Sequence, residues 1–359
     1  MTPLPDEHGT RSADAPVSTD DEPTTGRKLR FLQSPASYPE ATEDVRSIET
    51  HFAWVFLTDE YAWKLKKPMR AQAVDYRRLE DREYYCREEL RLNRRLAAWV
   101  YLDVVALTVT ADGAFELGGD GRAADWLVKM VRLPEAEMMD NLIRSGRFGE
   151  AECERIAGHL ARFYAGLTPE RLTPEAYVSR LLAEADEQQR HFAGIDDAIA
   201  TQPWQAALDD QRRYIRTRPG PIGERAAAGR IVEAHGDLRP QHVYLGSRFA
   251  VIDCLEFSRD LRIQDSAEEI AFLALECQRV GDRELRDLLL EVWQATSGDP
   301  PDASLLSFYL SRRAIVRAIL SAWHLDDPHF DRQHYIEETE HYVGLARQFI
   351  REALSAAER

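Results

Sequence analysis

The segment His235-Gly236-Asp237-Leu238-Arg239-Pro240-Gln241-His242 carries the densest set of reactive side chains in the sequence, and an apolar run, Val243-Tyr244-Leu245, follows it directly. A turn at Gly246-Ser247 leads into Phe249-Ala250-Val251-Ile252, which ends in Asp253. Two apolar runs joined by a short turn read as a hairpin, which brings Asp237 and Asp253 to one end of a cleft. One carboxylate can orient or deprotonate a hydroxyl, and the other can hold a divalent cation that neutralises phosphate charge. The pair therefore suits phosphoryl transfer to an alcohol. His-Gly-Asp alone also arises as a plain turn ahead of a strand. An apolar strand ending in Asp is what favours chemistry over a chance turn.

The segment fits the kinase catalytic loop H-R-D-L-x-x-x-N, followed by a strand that carries a metal-binding Asp. In its H-G-D form it resembles the aminoglycoside phosphotransferase family. That resemblance implies Asp237 as the base, with His235 in the same catalytic loop, and Asp253 as a metal ligand. Five residues after the base, where the pattern has a metal-binding Asn, this sequence has His242. An imidazole can ligate a metal, but hard Mg²⁺ prefers oxygen, so Mg²⁺ or Mn²⁺, in one copy or two, is expected there. Downstream, Arg262-Ile263-Gln264-Asp265-Ser266-Ala267 resembles the R-x-Q-D-x-A segment of aminoglycoside kinases, with Asp265 expected to cap the next helix and brace the catalytic loop.

A cation must meet the nucleotide phosphates. Ala62-Trp63-Lys64 fits the V-A-I-K strand, whose Lys holds the α- and β-phosphates. Lys66 lies on the same strand face by the period of 2 and is the reserve candidate, whereas Lys67 reads as a solvated lysine. Lys64 is favoured because a helix bearing Glu88-Glu89 follows and offers the ion-pair partner; by its spacing to Leu92 and Leu96, Glu89 resembles the family's partner better than Glu88. No G-x-G-x-x-G lies between the first two strands, and Glu49-Thr50-His51-Phe52-Ala53 stands in its place. Backbone N–H groups and the Thr50 hydroxyl are the expected phosphate donors there. Met130 to Leu133 reads as a hinge offering backbone groups to an adenine edge, or as a buried edge strand. ATP or GTP is the expected cofactor, with a small molecule as acceptor.

The stretch from Glu49 to Val105, with WVFLTDEYAWKLKKP and CREELRLNRRL, resembles a bacterial group of aminoglycoside-phosphotransferase-like proteins often fused to a C-terminal P-loop kinase domain. With HGDLRPQHVYL and VIDCLEFSRDLRIQD, the resemblance spans most of residues 40 to 350. No G-x-x-x-x-G-K-[ST] occurs in the sequence, so the stand-alone form is expected.

The elements that must position these residues follow from periodicity. Residues 1–28 are rich in Pro, Asp, Thr, Ser and Glu and read as a disordered tail. Strand patterns appear at Val45–Ile48, Trp54–Leu57 and Tyr61–Lys66, then a helix from about Tyr76 to Ala98, then strands at 103–110 and 125–132 around a glycine-rich hairpin stretch, Gly113 to Gly121. Helical spacing dominates after Pro134: about 135–166, 174–192, 203–216, 266–279, 282–296, 303–323 and 333–356. The expectation is an α+β, protein-kinase-like, two-lobed fold, with a β-rich nucleotide lobe at 29–132 and a helical catalytic and acceptor lobe at 133–359. Arg313 and Arg317 lie four residues apart on one helix face, to grip an anionic acceptor or, the preferred reading, to pair with the acidic surface.

Composition narrows the partners. At 359 residues, 44% hydrophobic and 30% charged, the chain has the makeup of a folded soluble protein. A net charge of −16 argues against nucleic acid and anionic membranes. Four scattered cysteines without a C-x-x-C pair fit a reducing cytoplasm, and neither a signal peptide nor a membrane span is seen. The alternative to an enzyme is a pseudokinase-like nucleotide-binding or regulatory protein, motivated by His242 and the absent glycine-rich loop.

Overall fold

The computed structural model describes residues 24–71, 74–195, 199–326 and 331–358. A short helix, α1 (Thr25–Leu32), comes first, followed by strands β1 (Arg46–Glu49), β2 (Ala53–Leu57) and β3 (Tyr61–Lys66). Two minimal strands, β4 (Arg70–Ala71) and β5 (Val74–Asp75), pair with each other ahead of helix α2 (Leu79–Ala97). Strands β6 (Tyr101–Val109), β7 (Phe115–Leu117) and β8 (Arg122–Val131) complete a six-stranded antiparallel sheet in the order β1-β2-β3-β8-β6-β7. β8 is thus an interior strand between β3 and β6, not an edge.

The alternation along β3 divides the small lobe. Trp63 and Leu65 point into a core beneath α1 with Leu32, Tyr38, Phe56, Leu107 and Leu127. The opposite face carries Ala62, Lys64 and Lys66 toward the rest of the chain. Ala62 joins an apolar cluster with Val128 and Met130 that also takes in Met138, Tyr244 and Ala250 from beyond the hinge.

The large lobe opens with a single 3₁₀ turn at Glu135–Glu137, then α3 (Met139–Arg144), α4 (Glu150–Ala165), α5 (Pro174–Ala193), α6 (Thr201–Thr217) and α7 (Pro219–Ala227). Short strands β9 (Ile231–Glu233), β10 (Val243–Tyr244), β11 (Ala250–Val251) and β12 (Ile263–Asp265), with helix α8 (Arg259–Arg262), frame the motif segments. β10 pairs antiparallel with β11, and β12 with β9. Helices α9 (Ser266–Val280), α10 (Arg283–Ser297), α11 (Ala303–Ala322) and α12 (Arg332–Ala357) follow. α9 is buried from Ser266 to Cys277 and packs chiefly against α10 and α11. No helix among the described residues is long and apolar enough to cross a membrane.

Several boundaries differ from the sequence reading. Residues 1–23 of the expected tail lie outside the described residues, but Thr25–Lys28 are helical. Leu29, Phe31 and Leu32 supply an apolar anchor, and the Lys28 ammonium is buried against the Ala124 carbonyl and Asp125, each at 2.8 Å. The helix expected over 135–166 is broken, because Gly146 takes a left-handed φ of 67° and α4 restarts at Glu150, where Glu152 accepts from the Gly149 N–H at 2.9 Å. The Gly113–Gly121 stretch contains β7, and α7, which starts at Pro219, was hidden by two prolines and a glycine.

Asp125 also accepts from Arg82 of α2 at 2.7 and 3.2 Å, so one buried carboxylate holds two buried cations from different helices. Asp125→Ala leaves both cations unpaired and is expected to cost about 3–5 kcal/mol of unfolding free energy, read by denaturant titration.

Candidate active site

The loop that carries Asp237 is shaped by its backbone. Gly236 has φ 88°, and a Cβ there would stand 3.1 Å from both Arg262 Cγ and Leu255 Cβ, so only glycine fits. Glu269 of α9 accepts from the His235 N–H at 2.9 Å and the Gly236 N–H at 2.5 Å, with the Tyr164 hydroxyl and the Gln264 amide as further donors. Burial raises the Glu269 carboxyl above its ordinary range, and these donors offset that only in part. His235 is buried; its Nε2–H donates to the Ile252 carbonyl at 3.0 Å, and its Nδ1 accepts from the Asp237 N–H at 3.3 Å. Burial, then the neighbouring His242, pushes this imidazole down to about 3, so it stays neutral. His235 therefore shapes the loop with both ring nitrogens and has none left for a substrate.

Asp237, Arg239 and His242 form a tight group beyond the glycine. Arg239 donates to Asp237 Oδ2 at 2.8 Å and meets His242 Nε2 at 3.2 Å. His242 Nδ1–H donates to the Asp237 carbonyl at 2.8 Å, which leaves Nε2 with a lone pair. That lone pair is 3.6 Å from Asp253 Oδ2. Burial first and Arg239 second lower the His242 pKa, which keeps Nε2 an acceptor, and the Arg239 N–H occupies it.

Asp253 is the single non-glycine residue with a left-handed φ, 61°, among the described residues. Its N–H donates to the Tyr101 hydroxyl at 3.0 Å, and its carboxylate, 44% exposed, meets Lys64 at 2.6 Å. Burial alone would raise this carboxyl, but the Lys64 ammonium holds it well below the usual range. Lys64 shows the converse: burial would lower its pKa, yet Asp253 and Glu89 raise it well above the ordinary value.

Helix α2 ties β3 to both loops. Glu89, with no exposed surface, pairs with Lys64 through Oε1 at 2.9 Å and with Lys66 through Oε2 at 2.6 Å. Its neighbour Glu88 faces outward and pairs with Arg91. One and two turns on, Asn93 Oδ1 accepts from the Cys254 N–H at 2.9 Å, and Arg95 donates to the carbonyls of Glu233 and Ala234 at 2.7 and 2.8 Å. Lys66 is only 2% exposed and reaches Glu256 at 2.5 Å, so it has no free face for a phosphate. Lys67 pairs with Glu49.

Two expected contacts are placed differently. The Thr50 hydroxyl donates to the Ala53 carbonyl and accepts from the Ala53 N–H at 3.0 and 3.1 Å, so it closes the β1–β2 turn and is not free for phosphate. Arg313 and Arg317 meet Glu268 and Glu276 of α9, at 3.2 and 3.1 Å, inside the lobe and not at its surface. Asp265 caps α9 through the Ala267 N–H at 2.8 Å. Met130 pairs with Ala62 and Tyr101 inside the sheet, and Leu133 follows where β8 has ended.

Among the described residues, no three His, Cys, Asp or Glu side chains are grouped to hold a metal ion. Asp253 Oδ2 and His242 Nε2 offer two donors 3.6 Å apart, close enough for small side-chain rotations to bring both to one small octahedral cation, whose adjacent ligands stand about 3 Å apart. This fits a cation that arrives with its other ligands, phosphate oxygens and water. Sequence reasoning passed over Arg239, Glu256 and Glu269. A signal was present for Glu269: Glu268, Glu269 and Glu276 are acids embedded in the otherwise apolar α9.

No protein-family model matches the chain. Uncharacterized proteins of Mycobacterium tuberculosis and Mycobacterium bovis are 32% identical over 280 residues, covering 77% of this chain and 54% of theirs. The chain thus spans about half the length of these curated relatives. Among solved structures, a choline/ethanolamine kinase family protein from Mesorhizobium loti aligns with TM-score 0.53 and 12% identity over 90% of this chain and 99% of that one. A choline kinase from Cryptosporidium parvum aligns with TM-score 0.53 and 12% identity over 91% and 97%. The chain has the protein-kinase-like, two-lobed α+β fold, as the resemblance to aminoglycoside phosphotransferases implied.

The two depressed imidazoles give stability a pH dependence. His235 and His242 bind protons less readily folded than unfolded, so below about pH 6.5, and for His235 down to about pH 3, the unfolded chain takes up protons that the folded chain refuses. Stability is expected to fall as the pH is lowered through that range, each histidine contributing about 1.4 kcal/mol per pH unit at most. His235→Gln removes one histidine's share of that slope, measured by urea unfolding at successive pH values.

Proposed function

We propose that the protein is a phosphotransferase that moves the γ-phosphate of ATP or GTP to a hydroxyl of a small molecule. The observation that carries this reading is the convergence of Lys64, Asp253, His242 and Asp237: Lys64 is 2.6 Å from Asp253, and His242 lies 3.6 Å from Asp253 and 3.7 Å from Asp237. The choline/ethanolamine kinases that share the fold support an alcohol as acceptor. The need for ATP favours action in the cytoplasm.

The base would rest in the apolar cluster that includes Val55, Leu57, Ala62, Met130, Leu133 and Ile252, against the hinge backbone of Met130 to Leu133. Lys64 would exchange Asp253 for the α- and β-phosphates while Glu89 keeps it aligned. Asp253 and His242 Nε2 would hold Mg²⁺ or Mn²⁺, which supplies charge neutralisation at the β- and γ-phosphates. Arg239 would turn from Asp237 to the γ-phosphate, freeing the base. Asp237 then takes the acceptor's hydroxyl proton as the new O–P bond forms and the bond to the leaving diphosphate breaks. His235 keeps the loop in register through its two backbone contacts.

A second reading, a nucleotide-binding regulatory protein with weakened catalysis, is favoured by His242 at a position where an oxygen ligand suits Mg²⁺ better. Thermal unfolding with ATP, with and without Mg²⁺ or Mn²⁺, tests the nucleotide site. At 100 times Kd the nucleotide is expected to stabilise the protein by about 2.7 kcal/mol, with the metal-dependent part lost in Asp253→Ala. Absence of any nucleotide effect on the unaltered protein sinks both readings. Asp237→Ala is expected to lower phosphoryl transfer, followed as ADP release with an acceptor panel, by about 10²–10⁴ while nucleotide binding persists. Release equal to that of the unaltered protein would leave the regulatory reading.

A further inference from the structure

Lys66 and Glu256 have no role in the reaction as written, yet they are among the most completely paired charges near the cleft. Lys66 Nζ donates to Glu89 Oε2 at 2.6 Å and to Glu256 Oε1 at 2.5 Å, and it lies 5.2 Å from the centre of the Tyr76 ring. Glu256 also accepts from the Tyr76 hydroxyl at 2.8 Å. Glu256 is three residues beyond Asp253, in the same loop. The contacts therefore close a ring: Asp253, Lys64, Glu89, Lys66, Glu256, and back through the backbone of Leu255 and Cys254.

The ring has two halves with different fates. Its Lys64–Asp253 half must open for a nucleotide, because both groups are needed by the phosphates and their cation. Its Lys66–Glu256 half contains no group that a nucleotide could reach, since Lys66 is 2% and Glu256 10% exposed. Once Lys64 leaves Asp253, the ion pair between β3 and the Asp253 loop would be lost if the second half were not there. Asp253 needs such support, because its φ of 61° is unfavourable for a side chain with a Cβ and must be held by its surroundings.

We infer, granting the phosphotransferase reading, that Lys66 and Glu256 are positioning residues: they keep Glu89 and the Asp253 loop fixed to β3 while Lys64 exchanges Asp253 for the phosphates. Lys66 holds the second oxygen of Glu89, so that carboxylate does not swing when Lys64 moves. Glu256 holds the loop, so the Asp253 carboxylate stays beside His242 Nε2, 3.6 Å away, where both can reach one cation. The burial of this second pair makes it indifferent to the filling of the cleft.

The test compares ATP affinity with Mg²⁺ and in EDTA, by isothermal titration, for the unaltered protein, Glu256→Gln, and the double variant Lys66→Met/Glu256→Gln. Glu256→Gln keeps an acceptor for Tyr76 but leaves Lys66 short of one counter-charge; the double variant removes both charges and so guards against a simple loss of folding. Metal-free affinity rests on Lys64 and is expected to change little. The ratio of Mg²⁺ to EDTA affinities is expected to fall by about fivefold or more in both variants. A ratio within about twofold of the unaltered protein in the folded double variant overturns the inference and leaves the proposed function standing. No Mg²⁺ dependence in the unaltered protein removes the proposed function, and this inference with it.

Discussion

The buried carboxylate of Glu89 is the contact on which the rest of the cleft depends. A carboxylate with no exposed surface is tolerated only if its charge is matched, and here each oxygen meets a different lysine of β3. Meeting both lysines fixes the depth and rotation of α2 against the sheet. At that rotation Asn93 reaches the Cys254 N–H and Arg95 reaches the carbonyls ahead of the catalytic loop. One ion-paired side chain thus sets the position of a strand, a helix and two loops from distant parts of the chain.

The charges at the cleft are matched without a ligand, in an arrangement that a ligand can rearrange. Asp253 stays ionised because Lys64 outweighs the cost of its partial burial, and Lys64 stays protonated for the converse reason. The two imidazoles stay neutral because burial and nearby cations oppose a further positive charge, and the one nitrogen of His242 nearest Asp253 accepts from Arg239. The left-handed backbone at Asp253, which costs about 1–2 kcal/mol for a residue with a Cβ, is held by the Tyr101 hydroxyl and by the β10–β11 hairpin just before it. Strain of this kind persists where several contacts over-determine the backbone.

In the large lobe the same logic runs along α9. Its buried acids find partners on the surrounding elements: Glu269 on α4 and the Asp237 loop, Glu268 on α11, and Glu276 on α11 and α12. Asp265, at its N-terminus, takes a bidentate contact from Arg225 at 2.7 and 2.8 Å and the Tyr309 hydroxyl at 2.7 Å. Apolar packing alone would let these helices slide by a turn with little penalty, but a slide here would strand buried charges. The acids therefore specify register, and through Glu269 that register reaches the backbone of the catalytic loop.

The sequence by itself determined the order of the elements, the two-lobed α+β architecture, and the segments that meet at the cleft. These are legible because they are written in local terms: a period of 2 along Tyr61–Lys66, helical spacing along α2, and a loop and hairpin of set length between Asp237 and Asp253. Tertiary structure alone decided which of the charged residues face one another. It divided Lys64 from Lys66 by solvent access, turned Glu89 inward and Glu88 outward, spent the Thr50 hydroxyl on its own turn, and buried Arg313 and Arg317 against α9. It also gave α1 a place on the sheet, since the Asp125 carboxylate that accepts Lys28 lies 97 residues away. The physical reason is that the energy of a buried charge depends on its partner, and partners distant in the chain are brought together by packing, which no local spacing records.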